Sequence, residues 1–153
     1  MFRSRTRDAL KESNQQLDVQ NQILDAINHT MAMIEFTPAG EILKANPLFL
    51  QLTGYRSEEV LGKHHSVFCP PEVARSSEYQ RFWQRLGGGE SFSDRFMRLA
   101  KGGRPIWLEA SYIPVSDQAG KVTKVIKLAT DITRAMKAEQ EHKSLLNAIY
   151  RSM

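Results

Sequence analysis

Three strand-like segments, roughly 91–99, 105–115 and 121–130, are joined by links too short for anything except hairpins. The links are Lys101-Gly102-Gly103-Arg104 and Asp117-Gln118-Ala119-Gly120. A parallel crossover needs a dozen or more residues, so these connections force neighbouring strands to run antiparallel. Upstream, Met33-Ile34-Glu35-Phe36 and Glu41-Ile42-Leu43-Lys44-Ala45 read as two further strands around the turn Thr37-Pro38-Ala39-Gly40. There the proline fixes one φ and the glycine frees another. Two strands, several short helices and three strands give an α+β chain with one antiparallel sheet.

The segment between the two strand groups carries its own punctuation. Asn46 is placed to cap a helix running through Leu52, with Pro47 at its first position and Gly54 at its end. Ser57 is expected to cap a turn over Ser57-Glu58-Glu59-Val60, closed by Gly62. A longer helix over 76–86 aligns Tyr79, Phe82, Trp83 and Leu86 on one face before Gly87-Gly88-Gly89 stops it.

Both ends read as helix. Leu10, Leu17, Leu24 and Met31 recur every seven residues over 1–31, with Ser13, Gln20, Asn14, Asn21 and Asn28 at or near the seam. A seven-residue repeat keeps one face toward a partner, giving either a dimeric coiled coil or a helix folded onto its own domain. The last segment, 134–153, contains Leu145-Leu146-Asn147-Ala148-Ile149 and ends at Met153. It matches Ile23-Leu24-Asp25-Ala26-Ile27 and Met31 at a constant offset of 122 positions, as the start of a second, tandem copy would.

Composition excludes several classes. The net charge of +4 is concentrated at Arg3, Arg5, Arg7 and Lys11, without a base-reading module, so no nucleic-acid role is expected. The single cysteine, Cys69, rules out an internal disulfide and a cysteine-built metal site. No apolar run is long enough to span a bilayer, no signal sequence opens the chain, and a cytoplasmic location is expected. Gly87-Gly88-Gly89 lacks the Gly-Lys-Ser/Thr of a phosphate loop, and no serine elbow or His-Glu-x-x-His is present. The expectation is a module that is not an enzyme.

Residues 32–133 resemble a PAS domain. The likeness rests on Ala45-Asn46-Pro47-Leu48-Phe49-Leu50, Thr53-Gly54-Tyr55, Gly62-Lys63-His64-His65, Gly102 through Tyr112, and Ala129-Thr130-Asp131-Ile132-Thr133 in that order. The wording is closest to tandem PAS repeats ahead of a methyl-accepting chemoreceptor signalling domain, including the biofilm-dispersion and aerotaxis types. The resemblance implies a five-stranded antiparallel sheet curled around a small pocket, with small helices on one face. It also implies signalling helices before the first strand and after the last, and a downstream signalling domain, while the seven-residue repeat of the N-terminal helix gives the expected homodimer. Asp131, Ile132 and Thr133 fall where the last strand becomes the exit helix, and Asp131 or Thr133 can cap it.

The resemblance leaves the ligand open: FAD, haem, a small metabolite or none. Trp83 and Trp107 match flavin-site tryptophans of the aerotaxis type, but Phe68-Cys69-Pro70-Pro71 stands where that type carries Arg-His-Pro-Asp. The helix that supplies a haem ligand in haem PAS proteins has no histidine here, so His64 or His65 would ligate iron if haem is bound. The other reading of these histidines is as surface or capping residues, and of Trp83 as a core anchor. Few polar residues in the strands converge on a pocket; His64, His65, Asn46, Phe68, Trp83 and Trp107 are the candidates. The function implied is sensing of a redox state or small ligand, relayed through the flanking helices. The alternative is a cofactor-free dimerisation and relay module.

Overall fold

In the computed structural model, which describes residues 2–153, five strands form one antiparallel sheet in the order β2-β1-β5-β4-β3. Met1, the first residue of the expected N-terminal helix, lies outside the described residues. In chain order the elements are α1 (Phe2–Thr30), β1 (Ala32–Phe36), β2 (Ile42–Ala45), α2 (Pro47–Thr53), α3 (Ser57–Val60), a 3-10 turn (His65–Phe68) and α4 (Pro71–Ala74). There follow α5 (Ser77–Gly87), β3 (Phe92–Leu99), β4 (Pro105–Ser116), β5 (Val122–Asp131) and α6 (Thr133–Ser152).

Hairpins place β3, β4 and β5 side by side, and β1 closes against β5 with Ile34 opposite Lys127. Successive side chains on a strand point to opposite faces, so one parity defines the interior. On β1 it is Ala32, Ile34 and Phe36; on β4 it is Ile106, Leu108, Ala110 and Tyr112, all buried. On β5 the same parity takes in Val125, Lys127 and Ala129. Helix α5 covers this face with Tyr79, Trp83 and Leu86 buried, as the three- and four-residue spacing requires.

The connecting region follows its local chemistry. The Asn46 side chain accepts from Phe49 N, Pro47 opens α2, and Gly54 ends it at φ 77°. Ser57, expected as the cap of α3, is instead its first helical residue. Arg56 precedes it in extended conformation, and the Glu59 carboxylate accepts from the Arg56 amide at 2.9 Å. A carboxylate three residues into a helix supplies this half of a capping box by satisfying the amide of the capping residue. Gly40 is required by crowding as well as by its φ of 96°: a Cβ there would lie 2.6 Å from His64 Nε2 and 3.0 Å from Trp83.

Among the described residues, helix α1 meets the domain through its last turn, where Ile27 and Asn28 become half-buried. Leu10, Leu17 and Leu24 are 58%, 53% and 51% exposed, which removes the reading of α1 as a helix folded onto its own sheet. Helix α6 likewise exposes Leu145, Ile149 and Tyr150. Among the described residues no helix is long and apolar enough to cross a membrane.

Candidate functional site

The interior of the curved sheet contains a polar cluster that the strand sequences did not advertise. His65 enters from the 3-10 turn and is completely buried. Its Nδ1 lies 2.7 Å from the Tyr79 hydroxyl on α5, and its Nε2 lies 2.9 Å from the Tyr112 hydroxyl on β4. Cys69 Sγ stands 3.7 Å from His65 Nδ1. From β3, Arg98 donates through Nη2 to the Tyr112 hydroxyl at 3.4 Å and through Nη1 to Met97 O at 3.0 Å. From β5, Lys127 projects over the Tyr112 ring, its Nζ 4.9 Å from the centroid.

Proton positions follow from donor and acceptor roles. Arg98 and a charged Lys127 can only donate, so the acceptor at hand for the Tyr112 O–H is a lone pair on His65 Nε2. Nδ1 then carries the imidazole proton and donates to Tyr79. This matches a neutral His65: burial, with the charges of Lys127, Arg98 and His64, holds it far below its ordinary 6.5. Burial also pushes the Tyr79 phenol well above its usual value. Lys127 is pulled below its ordinary 10.5, mainly by burial. Burial opposes the Arg98 charge too, but Tyr112, Cys69 and Tyr79 outweigh it and its net shift is upward.

The expected site residues separate into four groups. His65, Phe68 and Trp83 do come together: His65 packs against Phe68 and Trp83 with ring centroids 6.1 and 5.4 Å away. His64 sits at the rim, half-buried. Its Nδ1 accepts from Ser66 N, capping the 3-10 turn, and its Nε2 is 2.9 Å from Ala39 O. Trp107 does not join them. It has the opposite parity on β4 from Ile106, Leu108, Ala110 and Tyr112, so its side chain lies on the outer face. Asn46 is buried, but all its bonds are to backbone. It accepts from Met33 N and Phe49 N, and it donates to Met31 O and Asn28 O. It ties α1, β1 and α2 together.

Where few polar strand residues are expected to converge, the interior holds three: Arg98, Tyr112 and Lys127. Parity could have found them, since Lys127 lies midway between inward Val125 and Ala129. A lysine between apolar positions reads at first as an outward residue.

These residues, as arranged, do not fit haem or flavin. Both nitrogens of His65 are engaged with tyrosine hydroxyls, and both nitrogens of His64 with backbone, leaving none free for iron. The interior beside Tyr112 is filled by the rings of Phe82, Phe96 and Trp83, whose centroids lie 4.9–6.5 Å from that of Tyr112, rather than left open for a flavin ring. Among the described residues no three His, Cys, Asp or Glu side chains group as a metal site would need.

At the other end of the sheet, β5 passes into α6. Asp131 Oδ1 accepts from Thr133 N at 2.9 Å and from the Thr133 hydroxyl at 2.6 Å. Trp107 N donates to Thr133 Oγ1, and Ile132 N donates to Trp107 O, both at 2.9 Å. The roles expected of Asp131 and Thr133 are thus split: Asp131 accepts the first helical N–H from just before the capping residue Ile132, while Thr133 binds β4. Ile132 is the half-buried pivot between strand and helix. Farther along, Met136 and Glu139 of α6 approach Arg95 on the outer face.

Comparison with known proteins agrees with this architecture. The family profile described as the PAS fold matches residues 42–129. The biofilm dispersion protein BdlA of Pseudomonas aeruginosa is 48% identical over 128 residues, covering 84% of this chain and 31% of that protein. The sensor histidine kinase TmoS of Ectopseudomonas mendocina is 27% identical over 139 residues, covering 89% of this chain and 14% of that one. The crystal structure of a PAS domain from Colwellia psychrerythraea superposes with a TM-score of 0.64 at 20% identity, covering 76% of this chain and 98% of that domain. The chain spans less than a third of the length of the curated relatives it matches. A matched profile over more than half its residues, on a five-stranded antiparallel sheet in the order 2-1-5-4-3, makes this chain a member of the PAS fold family.

Proposed function

We propose that the chain is a non-catalytic sensory module of a chemotaxis-type, cytoplasmic signal transducer, which registers a small ligand inside the sheet and relays it through its flanking helices. The carrying observation is the double tie at Trp107. One residue of β4 donates to Thr133 and accepts from Ile132, so the first turn of α6 is bonded to a strand whose inner face carries Tyr112. A rearrangement at Tyr112 has a short, hydrogen-bonded route to the start of α6. Coupling on the order of 1–3 kcal/mol is typical of such switches.

The exposed seam of α1 supports a homodimer: Leu10, Leu17 and Leu24 keep a seven-residue period with no partner on their own domain. The similarity to BdlA supports a chemotaxis-type setting with an output domain beyond α6, and the likeness of residues 145–153 to 23–31 supports a second repeat beginning there. The engaged histidine nitrogens favour sensing without haem.

Hydrogen exchange of the chain, with and without the small-molecule fraction of a bacterial extract, tests the relay. The expected result is altered protection in the interior together with the Trp107 amide and the first turns of α6. Altered protection confined to the interior, with α6 unaffected, would refute it.

A further inference from the structure

Among the described residues the interior cations have no counter-charge. Lys127 is 0% exposed and its Nζ makes no hydrogen bond; Arg98 is 6% exposed and its Nε makes none. Among the described residues no Asp or Glu lies within ion-pair distance of either. Charges removed from water without a partner are among the costliest things a core can hold, and cores normally neutralise them with a carboxylate. The aromatic faces of Phe49 and Tyr112 beside Lys127, and of Phe96 beside Arg98, offset part of that cost and carry no net charge.

Both cations converge on one group. Arg98 Nη2 lies 3.4 Å from the Tyr112 hydroxyl, and Lys127 stands over the same ring from the neighbouring strand. A guanidinium at the hydroxyl and an ammonium over the ring of one tyrosine supply donors suited to a planar, two-oxygen anion. The rings packed around Tyr112 limit the occupant to a few heavy atoms. Tyr79 stands between the interior and the surface. It lines a surface cleft of about 360 Å³ with His64, Ser66 and Trp83, and its hydroxyl touches His65 within.

We infer that the ligand of this sheet interior is a small organic carboxylate, held by Arg98 and Lys127 against the Tyr112 hydroxyl. This rests on the sensory reading and gives that site its ligand class. Binding supplies the missing negative charge, and it draws on the hydroxyl that otherwise satisfies His65, so the His65–Tyr112 bond is the contact that ligand entry rearranges.

The test is thermal unfolding and titration calorimetry of the chain in chloride-free buffer with acetate, pyruvate and succinate. Succinamide serves as the neutral match, and inorganic phosphate and chloride as the inorganic arms. At a hundredfold excess over Kd, a bound carboxylate is expected to raise the unfolding midpoint by roughly 8 °C. Lys127→Met and Arg98→Met are each expected to weaken binding at least tenfold. Lys127→Met, which swaps an unpaired cation for an apolar chain of similar length, keeps the fold and so serves if Arg98→Met does not. No shift with any carboxylate, an equal shift with succinamide, a shift with inorganic anions alone, or unchanged affinity in Lys127→Met would each overturn the inference. An α6 exchange response to other small molecules in the absence of carboxylate binding would overturn this ligand class alone. Carboxylate binding with a silent α6 would overturn the relay alone.

Discussion

The amide of Trp107 donates to the Thr133 hydroxyl while its carbonyl accepts from Ile132, so a single residue of β4 holds both sides of the junction where β5 becomes α6. Thr133 in turn donates to Asp131, closing a small ring of bonds at the root of the helix. Thr133→Val keeps the shape and removes both hydroxyl bonds. The expected loss is about 1 kcal/mol, felt locally. Faster hydrogen exchange at the Trp107 amide and in the first turn of α6, with unchanged protection of Ile106 and Tyr112, is the check.

Asn46 satisfies four backbone groups from inside the protein, two as acceptor and two as donor. Asn46→Ala is expected to cost roughly 2–3 kcal/mol, combining a lost cap with buried groups left unpaired. Asn46→Asp keeps the acceptor for Phe49 N but sets a carboxylate against the carbonyls of Asn28 and Met31. Urea denaturation should therefore rank wild type above both variants. The aspartate variant should show its excess exchange at the end of α1 rather than in α2.

Lys127 offers the opposite kind of substitution. Because its ammonium is buried without an ion pair, Lys127→Met is expected to stabilise the ligand-free chain by about 1–3 kcal/mol. The pH dependence gives an independent reading. With the folded pKa below the ordinary 10.5, the unfolded chain binds the extra proton between those two values, so stability rises with pH across that window. Lys127→Met should flatten that rise in the difference between the two unfolding curves. A variant less stable than wild type at pH 7 would contradict the placement of this side chain.

His65 acts at the acid end. It faces Lys127, Arg98, His64, Tyr79, Tyr112 and Cys69, with no carboxylate among them, and stays neutral well below 6.5. The unfolded state then takes up a proton that the folded state refuses. The contribution is intact above about 6.5 and is lost as pH falls toward the depressed folded value. His65→Gln should remove this part of the acid slope at some cost in midpoint, measurable by denaturation at pH 7 and pH 5.

Gly40→Ala tests the packing at the rim. The added methyl meets His64 Nε2 and the Trp83 indole at a backbone φ of 96°, so a loss on the order of 2 kcal/mol is expected. A shift in Trp83 fluorescence should accompany it. Leu17→Glu on α1, by contrast, lies on an exposed face. It should leave domain stability within about 0.5 kcal/mol while halving the mass seen by light scattering if α1 pairs two copies.

The parts of the fold written in local chemistry were legible in the sequence. The Asn46-Pro47 start and Gly54 stop of α2, the Gly-containing hairpins and the aromatic face of α5 all depend on residues within a few positions of one another. Ser57 was misread because a serine before a helical run suits a cap, whereas Glu59 reaching back to Arg56 depends on a side-chain choice the sequence leaves open. The site was less legible for a different reason. His65 and Tyr112 are 47 positions apart, and only the curl of the sheet makes them neighbours. Trp107 attracted attention as an aromatic, yet one step of parity puts it on the far face and makes its backbone, not its ring, the part that matters.

Helix α1 is 29 residues long, about 43 Å at 1.5 Å per residue, and it meets the domain at its final turn. The Asn46 amide grips that turn at Asn28 and Met31, so it stands at the fulcrum of a long rod. A tilt of a few degrees there, too small to disturb the sheet, sweeps the far tip through several ångströms. A lever of that length would turn a small displacement at one buried side chain into a large one at its tip.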